Sequence, residues 1–80
     1  MATVLLFGAF QDLAGWSEEV IEAPTLGALK AVLAERSPAL RERLDAQNTL
    51  TIHNRVLVRD DNRALTADDE VAFGPPVSGG

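Results

Sequence analysis

Five short apolar runs, separated by polar segments, set the pattern of this chain and predict five strands. The first run ends at Gly8 and has the nearly continuous apolar character of a buried strand. The second contains the adjacent pair Val20-Ile21, so its alternation does not define a register. The third alternates cleanly, as a half-buried strand does, and the turn Asn54-Arg55 separates it from the fourth. The predicted strands are residues 2–8, 16–22, 49–53, 56–58 and 70–73.

The middle of the chain has apolar residues at helical spacing instead. Thr25 is placed to cap a helix, with its hydroxyl accepting an N–H of the first turn. Ser37-Pro38 ends that helix, because proline lacks the N–H and clashes with the preceding turn, and it also starts a shorter second helix. One apolar stripe runs along both helices and is formed by Leu26, Leu29, Leu33, Leu40 and Leu44.

The order of these elements indicates an α+β fold. A helical connection between two groups of strands permits a parallel pairing that a hairpin cannot make. We therefore expect a mixed sheet of about five strands, packed on one face by one main helix and a short second helix. The β-grasp (ubiquitin-like) roll is the known architecture that fits this order. Residues 10–15 and 59–69 are predicted loops, residues 1–74 the β-grasp domain, and residues 75–80 an extended C-terminal tail.

Composition narrows the class of protein without naming its function. Eighty residues make one domain, and with no cysteine no disulfide or thiolate metal site can hold it together. The net charge of −5 disfavours nucleic acid and anionic membranes, and it favours a basic protein partner or simply solubility. No apolar stretch approaches the roughly 20 residues that cross a bilayer, and no signal sequence is evident, so we expect a cytoplasmic protein.

The side chains offer little independent chemistry. His53 is the single histidine, and its place at the end of an alternating strand predicts a rim or turn residue, not a catalyst or a metal ligand. The acidic pairs around Asp60 and Asp69 lack the spacing of a calcium loop, so they are interpreted as turn residues. Trp16 is expected in the core or the sheet. The chain is therefore not expected to be an enzyme alone, nor to bind a metal or a cofactor.

The C-terminal tail is the one segment with a chemical signature. Pro75-Pro76 stiffens its exit from the last strand, and Gly79-Gly80 ends it without bulk. Six extended residues reach about 20 Å, which is enough to enter the active site of a partner. A terminal carboxylate becomes reactive only after activation, for example by adenylylation. The tail residues alone leave two interpretations open, namely that the tail is an acyl carrier or that it is a frayed chain end.

The end of the chain resembles a known family. Residues 65–80 closely resemble the small subunit of molybdopterin synthase, in the MoaD branch of the MoaD/ThiS ubiquitin-like sulfur carriers. The specific part is the strand Asp69-Glu70-Val71 followed by the tail from Pro75 to Gly80. The likeness extends to the opening strand, to the loop at residues 13–15, to the helix start at Thr25-Leu26 and to Asn54.

The resemblance implies a role for each residue of the tail. Gly80 would be adenylated by an ATP-using, E1-like enzyme of the MoeB type and converted to a thiocarboxylate. Gly79 would precede it without a side chain that could crowd a narrow channel. The sulfur would pass to cyclic pyranopterin monophosphate inside the large, MoaE-like subunit and build the dithiolene of molybdopterin. The residues implied to thread that subunit are Pro75, Pro76, Val77 and Ser78.

The resemblance also implies a mode of assembly. The chain would be a monomer alone and part of a heterotetramer in the synthase, where it donates sulfur without catalysing a reaction itself. Val71 and Phe73 would contribute either to the sheet core or to partner docking. The same chemistry would also serve carriers of thiazole (thiamine), cysteine or tRNA thiolation pathways. A ubiquitin-like interaction module without tail chemistry is the remaining alternative.

Two positions depart from the family pattern. Asp68 stands where the family usually has glycine, which is expected to alter the turn before the last strand. Gly74 replaces an aromatic residue before Pro75-Pro76, which is expected to alter the details of docking.

Overall fold

The computed structural model describes residues 2–45 and 49–75. These residues form five strands and three helices. In chain order they are β1 (Ala2–Leu6), α1 (Ala9–Ala14), β2 (Glu18–Ile21), α2 (Leu26–Arg36), α3 (Pro38–Asp45), β3 (Leu50–His53), β4 (Val56–Leu57) and β5 (Glu70–Gly74).

One mixed sheet contains all five strands, in the order β2-β1-β5-β3-β4. The last strand of the chain lies at its centre, parallel to β1 and antiparallel to β3. Two antiparallel hairpins, β1–β2 and β3–β4, form the two sides. This arrangement, with the helices on one face, confirms the predicted α+β class and the β-grasp roll.

The core lies between the helices and the inner face of the two central strands. Val4 and Leu6 of β1 lie beside Val71 and Phe73 of β5, and each of the four is at most 1% exposed. The predicted leucine stripe of α2 and α3 packs against them. Val71 and Phe73 are therefore core residues, and the proposal that they dock a partner is wrong, because neither has surface left for another protein to touch.

Local sequence signals explain where α2 and α3 begin. The Ala28 N–H donates to Thr25 Oγ1 at 3.1 Å, so the predicted cap of α2 is confirmed. Ser37 Oγ accepts from the Leu40 N–H at 3.3 Å, and Pro38 occupies the first position of α3, where its missing N–H costs no helical bond. No helix among the described residues is long and apolar enough to span a membrane.

The segment after β1 differs from the prediction. Residues 9–14 form the short helix α1 and not a loop, because the Phe10 side chain inserts into the core and is only 2% exposed. Gly15 ends α1 in the left-handed conformation, with its N–H donating to the Gln11 carbonyl at 2.9 Å. Trp16 follows, partly buried against the core as expected but outside β2, which begins at Glu18.

Candidate functional site

The tail begins directly after β5, the central strand of the sheet. β5 ends at Gly74, and Pro75 follows as an exposed residue. The rest of the predicted carrier segment lies outside the described residues, so its roles stay predictions here. That segment comprises Pro76, Val77, Ser78, Gly79 and Gly80.

The face of the sheet opposite the helices carries apolar side chains close to the start of the tail. We call this surface the open face, and its apolar members are Leu5, Val20, Leu50, Ile52, Leu57 and Ala72. One row across the strands pairs Leu5 with Ala72, Ala72 with Ile52, and Ile52 with Leu57. At the β2 edge this row also contains Glu18, which pairs with Leu5. The row farther from the tail is polar at its centre, where Thr3 pairs with Glu70, and has Val20 at its β2 edge. The open face is thus most apolar in the half from which the tail emerges.

Exposure supports a role for this surface in contacts with another protein. Val20 and Leu57 are 57% and 55% exposed, which is unusual for large apolar side chains that could have faced the core. Leu57 lies beside Ile52, in the apolar row that continues to Ala72 and Leu5, whereas Val20 lies beside Thr3 at the opposite edge of the sheet. Contiguous apolar surfaces on small domains mark interaction sites more often than isolated exposed residues do. The cause lies partly in β3, where Thr51 and His53 face the helices and Leu50 and Ile52 are left on the open face.

Phe7 covers the position where the family pattern has an aromatic residue and this chain has Gly74. A Cβ added to Gly74 would lie 3.6 Å from Phe7 Cβ, which is ordinary van der Waals contact. Phe7 is itself 52% exposed. An aromatic side chain therefore lies at the root of the tail, although it comes from the end of β1 and not from β5.

The second departure, Asp68, does not strain the backbone. Its φ is not positive, so the turn from Thr66 to Asp69 makes no demand for glycine. The Asp69 N–H donates to the Thr66 carbonyl at 3.2 Å and closes that turn. That this turn differs from the one in relatives that carry glycine here stays a prediction.

His53 is buried in a polar network, which the prediction of a rim or turn residue did not anticipate. Arg63 Nε donates to His53 Nδ1 at 2.6 Å, so this nitrogen must accept, and the ring proton lies on Nε2. Nε2 then donates to Asp69 Oδ2 at 2.8 Å. The Thr66 hydroxyl also donates to Asp69, at Oδ1 and 2.9 Å, and these bonds join β3 to the loop before β5. The network is therefore a structural clamp.

The Asp69 carboxylate collects donors from three directions. The Asn54 side-chain amide donates to Oδ1 at 3.0 Å, and the Thr66 N–H donates to Oδ2 at 2.8 Å. The Asn54 amide, then the Thr66 N–H, then His53, hold the pKa of Asp69 well below its usual range, because each bond favours the charged form. Partial burial opposes this shift and is outweighed.

The prediction of an acidic turn residue is confirmed at Asp60. Asp60 Oδ1 accepts from the Asn62 N–H at 2.9 Å, the local bond that favours aspartate in turns. Asp61 pairs with Lys30 at 2.8 Å. Within residues 2–45 and 49–75, histidine and carboxylate side chains do not gather in a group of three that could hold a metal ion.

Comparison with known proteins gives one family. A model of the ThiS family matches residues 4–80 of this chain. The molybdopterin synthase sulfur carrier subunit of Escherichia coli (strain K12) is 38% identical over 82 residues, which cover 100% of both chains.

Two solved structures extend the comparison to three dimensions. One is subunit 1 in the complex of subunits 1 and 2 of molybdopterin-converting factor from Helicobacter pylori 26695, with 29% identity and a TM-score of 0.75. That match covers 99% of this chain and 97% of the other. The second is small archaeal modifier protein 1 of Haloferax volcanii, with 25% identity, a TM-score of 0.78 and coverage of 95% and 97%.

Proposed function

The chain belongs to the ThiS family and is a sulfur carrier of the MoaD/ThiS type, and from that premise we propose that it is the sulfur carrier subunit of molybdopterin synthase. It carries sulfur as a thiocarboxylate on Gly80 and delivers it for dithiolene formation in molybdenum cofactor biosynthesis. The full-length similarity to the E. coli subunit of that name is the observation that carries the proposal.

The tail needs two chemical steps before it can donate sulfur. A Gly80 carboxylate oxygen attacks the α-phosphorus of ATP and displaces pyrophosphate, which gives an acyl adenylate. Hydrosulfide then attacks the carbonyl and displaces AMP, which gives the thiocarboxylate. A persulfide donor would instead give an acyl disulfide, from which a second thiol releases the thiocarboxylate. The partner enzyme binds ATP and provides the catalytic groups. This chain provides the C-terminal carbonyl group and positions it in the partner's active site.

The geometry at the start of the tail supports this role. Pro75 leaves the central strand beside the apolar half of the open face, so a partner that covers this face also receives the tail. Leu5, Ala72 and Ile52 are uncharged and form the middle of this half, with Glu18 at its β2 edge. The desolvated centre of an interface is likewise depleted in charge. We propose that the large subunit and a MoeB-type activating enzyme both bind here, in turn, because each must reach the same Gly80.

The proposed assembly places one carrier on each large subunit, on the surface that the activating enzyme also uses. The carrier is a monomer when alone and joins a heterotetramer with a dimer of large subunits. The H. pylori structure of subunits 1 and 2 together supports a large partner subunit. Light scattering on a co-purified complex tests the stoichiometry, and a one-to-one heterodimer would contradict it.

Intact mass spectrometry of the untagged chain from its own host tests the tail chemistry. We expect a fraction in which one oxygen is replaced by sulfur, and we expect that fraction to vanish when Gly79 and Gly80 are deleted. The deletion should leave the circular dichroism spectrum and the unfolding midpoint unchanged, because the buried apolar core described here is formed by residues between Ala2 and Phe73. If the mass stays unmodified after incubation with an activating enzyme, ATP and a sulfur donor, the carrier proposal is wrong.

A reconstituted reaction separates molybdopterin synthesis from the other sulfur pathways. Thiocarboxylated carrier, large subunit and cyclic pyranopterin monophosphate should together yield molybdopterin, with one carrier consumed for each sulfur. A carrier that is charged with sulfur but yields no product here would belong to a thiazole, cysteine or tRNA thiolation pathway.

A further inference from the structure

The backbone after β1 runs directly beside the backbone after β5. Because the two strands are parallel and pair Leu6 with Phe73, they end at the same edge of the sheet. The Phe7 N–H donates to the Phe73 carbonyl at 3.0 Å and extends this pairing by one residue. Gly8, which follows Phe7, therefore lies beside Pro75, which follows Gly74.

Gly8 occupies that place in a conformation that only glycine adopts readily. Its φ of 59° and ψ of −131° are the mirror image of the polyproline region, where an L side chain clashes with the backbone. This conformation turns the chain out of β1 and into α1. The change of direction by itself explains why residue 8 is a glycine.

Pro75 approaches Gly8 closely, and this contact connects Gly8 to the tail. A Cβ built on Gly8 would lie 3.2 Å from Pro75 Cγ and 3.3 Å from Pro75 Cδ, tighter than ordinary carbon contacts. The proline ring thus rests on the bare α-carbon of Gly8, while Phe7 covers Gly74, the residue before it. Together, Phe7 and Gly8 form a seat for the first residue of the tail.

We propose that Gly8, supported by Phe7, is a positioning residue that sets the direction in which the tail leaves the sheet. The proposal rests on the tail chemistry proposed above. Five extended residues beyond Pro75 reach about 17 Å, so a change of about 30° at the root moves the terminal carboxyl carbon by roughly 9 Å. A seated proline, whose φ is already fixed, also leaves fewer conformations to be lost when the tail enters a partner.

The kinetics of activation by the adenylating enzyme test this role. In Gly8→Ala the new methyl group displaces Pro75, so we expect kcat to fall at least about tenfold, since a misplacement of about 1 Å can cost up to about a hundredfold. KM for the carrier should change less than about twofold, because the open face is intact. A folded Gly8→Ala carrier with unchanged kcat would overturn the proposal.

A synthetic carrier with D-alanine at position 8 is the matched control. The conformation of Gly8 is a favourable one for a D-residue, and the methyl group then projects from the other side of the α-carbon. We expect this Gly8→D-Ala variant to keep kcat near that of the unaltered chain. Equal loss of kcat in both isomers would show that the loss does not depend on a methyl group placed against Pro75, and it would overturn the proposal.

NMR of the isolated carrier tests the seat without any partner. We expect nuclear Overhauser effects between the Gly8 α-protons and the ring protons of Pro75, and we expect Pro75→Ala to increase the mobility of residues 76–80. Absence of these effects in the unaltered chain would overturn the seat even if Gly80 is activated normally. Conversely, if the seat is observed but no enzyme activates Gly80, the proposed function fails and the seat stands only as a structural feature.

Discussion

At the scale of single residues, one carboxylate joins the end of β3 to the turn before β5. Asp69 accepts from Asn54, Thr66 and His53, and the Asn54 side-chain oxygen Oδ1 accepts from the Glu70 N–H at 2.9 Å. This clamp lies at the end of β5 opposite the tail. It fixes the start of the strand whose other end carries the chemistry.

The lowered pKa of Asp69 predicts how stability depends on pH. The folded pKa lies below the unfolded value of about 3.9, so the stabilisation is complete above that pH and is lost as the pH falls through the folded pKa. Urea unfolding of the chain and of Asp69→Asn should differ most near pH 7, where the asparagine amide would face other donors. The difference should narrow below about pH 4. A difference that stays constant across this range would contradict the assignment.

At the scale of elements, the β3–β4 hairpin contains a local conflict. Asn54 and Arg55 both have positive φ, 50° and 72°, as the two central residues of a type I′ turn require. Asparagine tolerates this conformation and here also bonds to Asp69. Arginine has no such advantage, so the second turn position is strained.

Replacing Arg55 should therefore stabilise the hairpin. Arg55→Gly removes a conformational cost of about 1–2 kcal/mol and adds an unfolded-state entropy cost of about 0.5–1 kcal/mol, so we expect a net gain of about 0.5 kcal/mol in the free energy of unfolding. Chemical denaturation measures the change. Arg55→Ala is the matched control, because it removes the same side chain but keeps the cost of a positive φ. Equal effects of both substitutions would show that the backbone is not strained.

The sequence predicts the elements whose signals are local. The leucine stripe of α2 and α3 needs only helical spacing, and the caps at Thr25 and Ser37 need only neighbouring residues. Helix α1 escapes prediction because six residues are too few to show a period and because its stability comes from Phe10 entering the core. The tail is visible in the sequence, whereas its seat is not, since Gly8 and Pro75 meet only through strand pairing.

The inward face of β3 is a second feature that sequence alone does not give. Alternation along the strand predicts two faces but not which one meets the helices. Thr51 and His53 face inward because Arg63 and Asp69, from a loop distant in sequence, satisfy the polar atoms of His53. The apolar residues then lie outward, and the open face results.

At the scale of the whole molecule, the two faces of the sheet have separate tasks. The inner face holds the core, and the open face is the surface proposed to bind a partner. Leu57 and Val56 allow these tasks to be separated, because they are neighbours on β4 with similar exposure, 55% and 53%. Leu57 pairs with Ile52 on the open face, whereas Val56 pairs with His53 on the inner side.

A charge at these two positions should have unequal effects on binding. Leu57→Glu places a carboxylate in the proposed interface, and we expect the Kd for the large subunit to rise at least about tenfold. Val56→Glu is the matched control and should change that Kd less than about twofold. Both variants should stay within about 0.5 kcal/mol of the original free energy of unfolding. Isothermal titration calorimetry gives the comparison, and equal weakening by both would place the interface elsewhere.

The central position of β5 has a mechanical consequence. A force on the tail acts along a strand that is bonded on one side to β1 and on the other to β3. The hydrogen bonds of both ladders lie across the strand, so such a force loads them together in shear and does not open them one after another. An edge strand held by a single ladder would resist less. A partner that draws the tail into a narrow cleft therefore applies force to the central strand of the sheet. Because both ladders resist that force together, the domain can stay folded while its C-terminus is held by the partner.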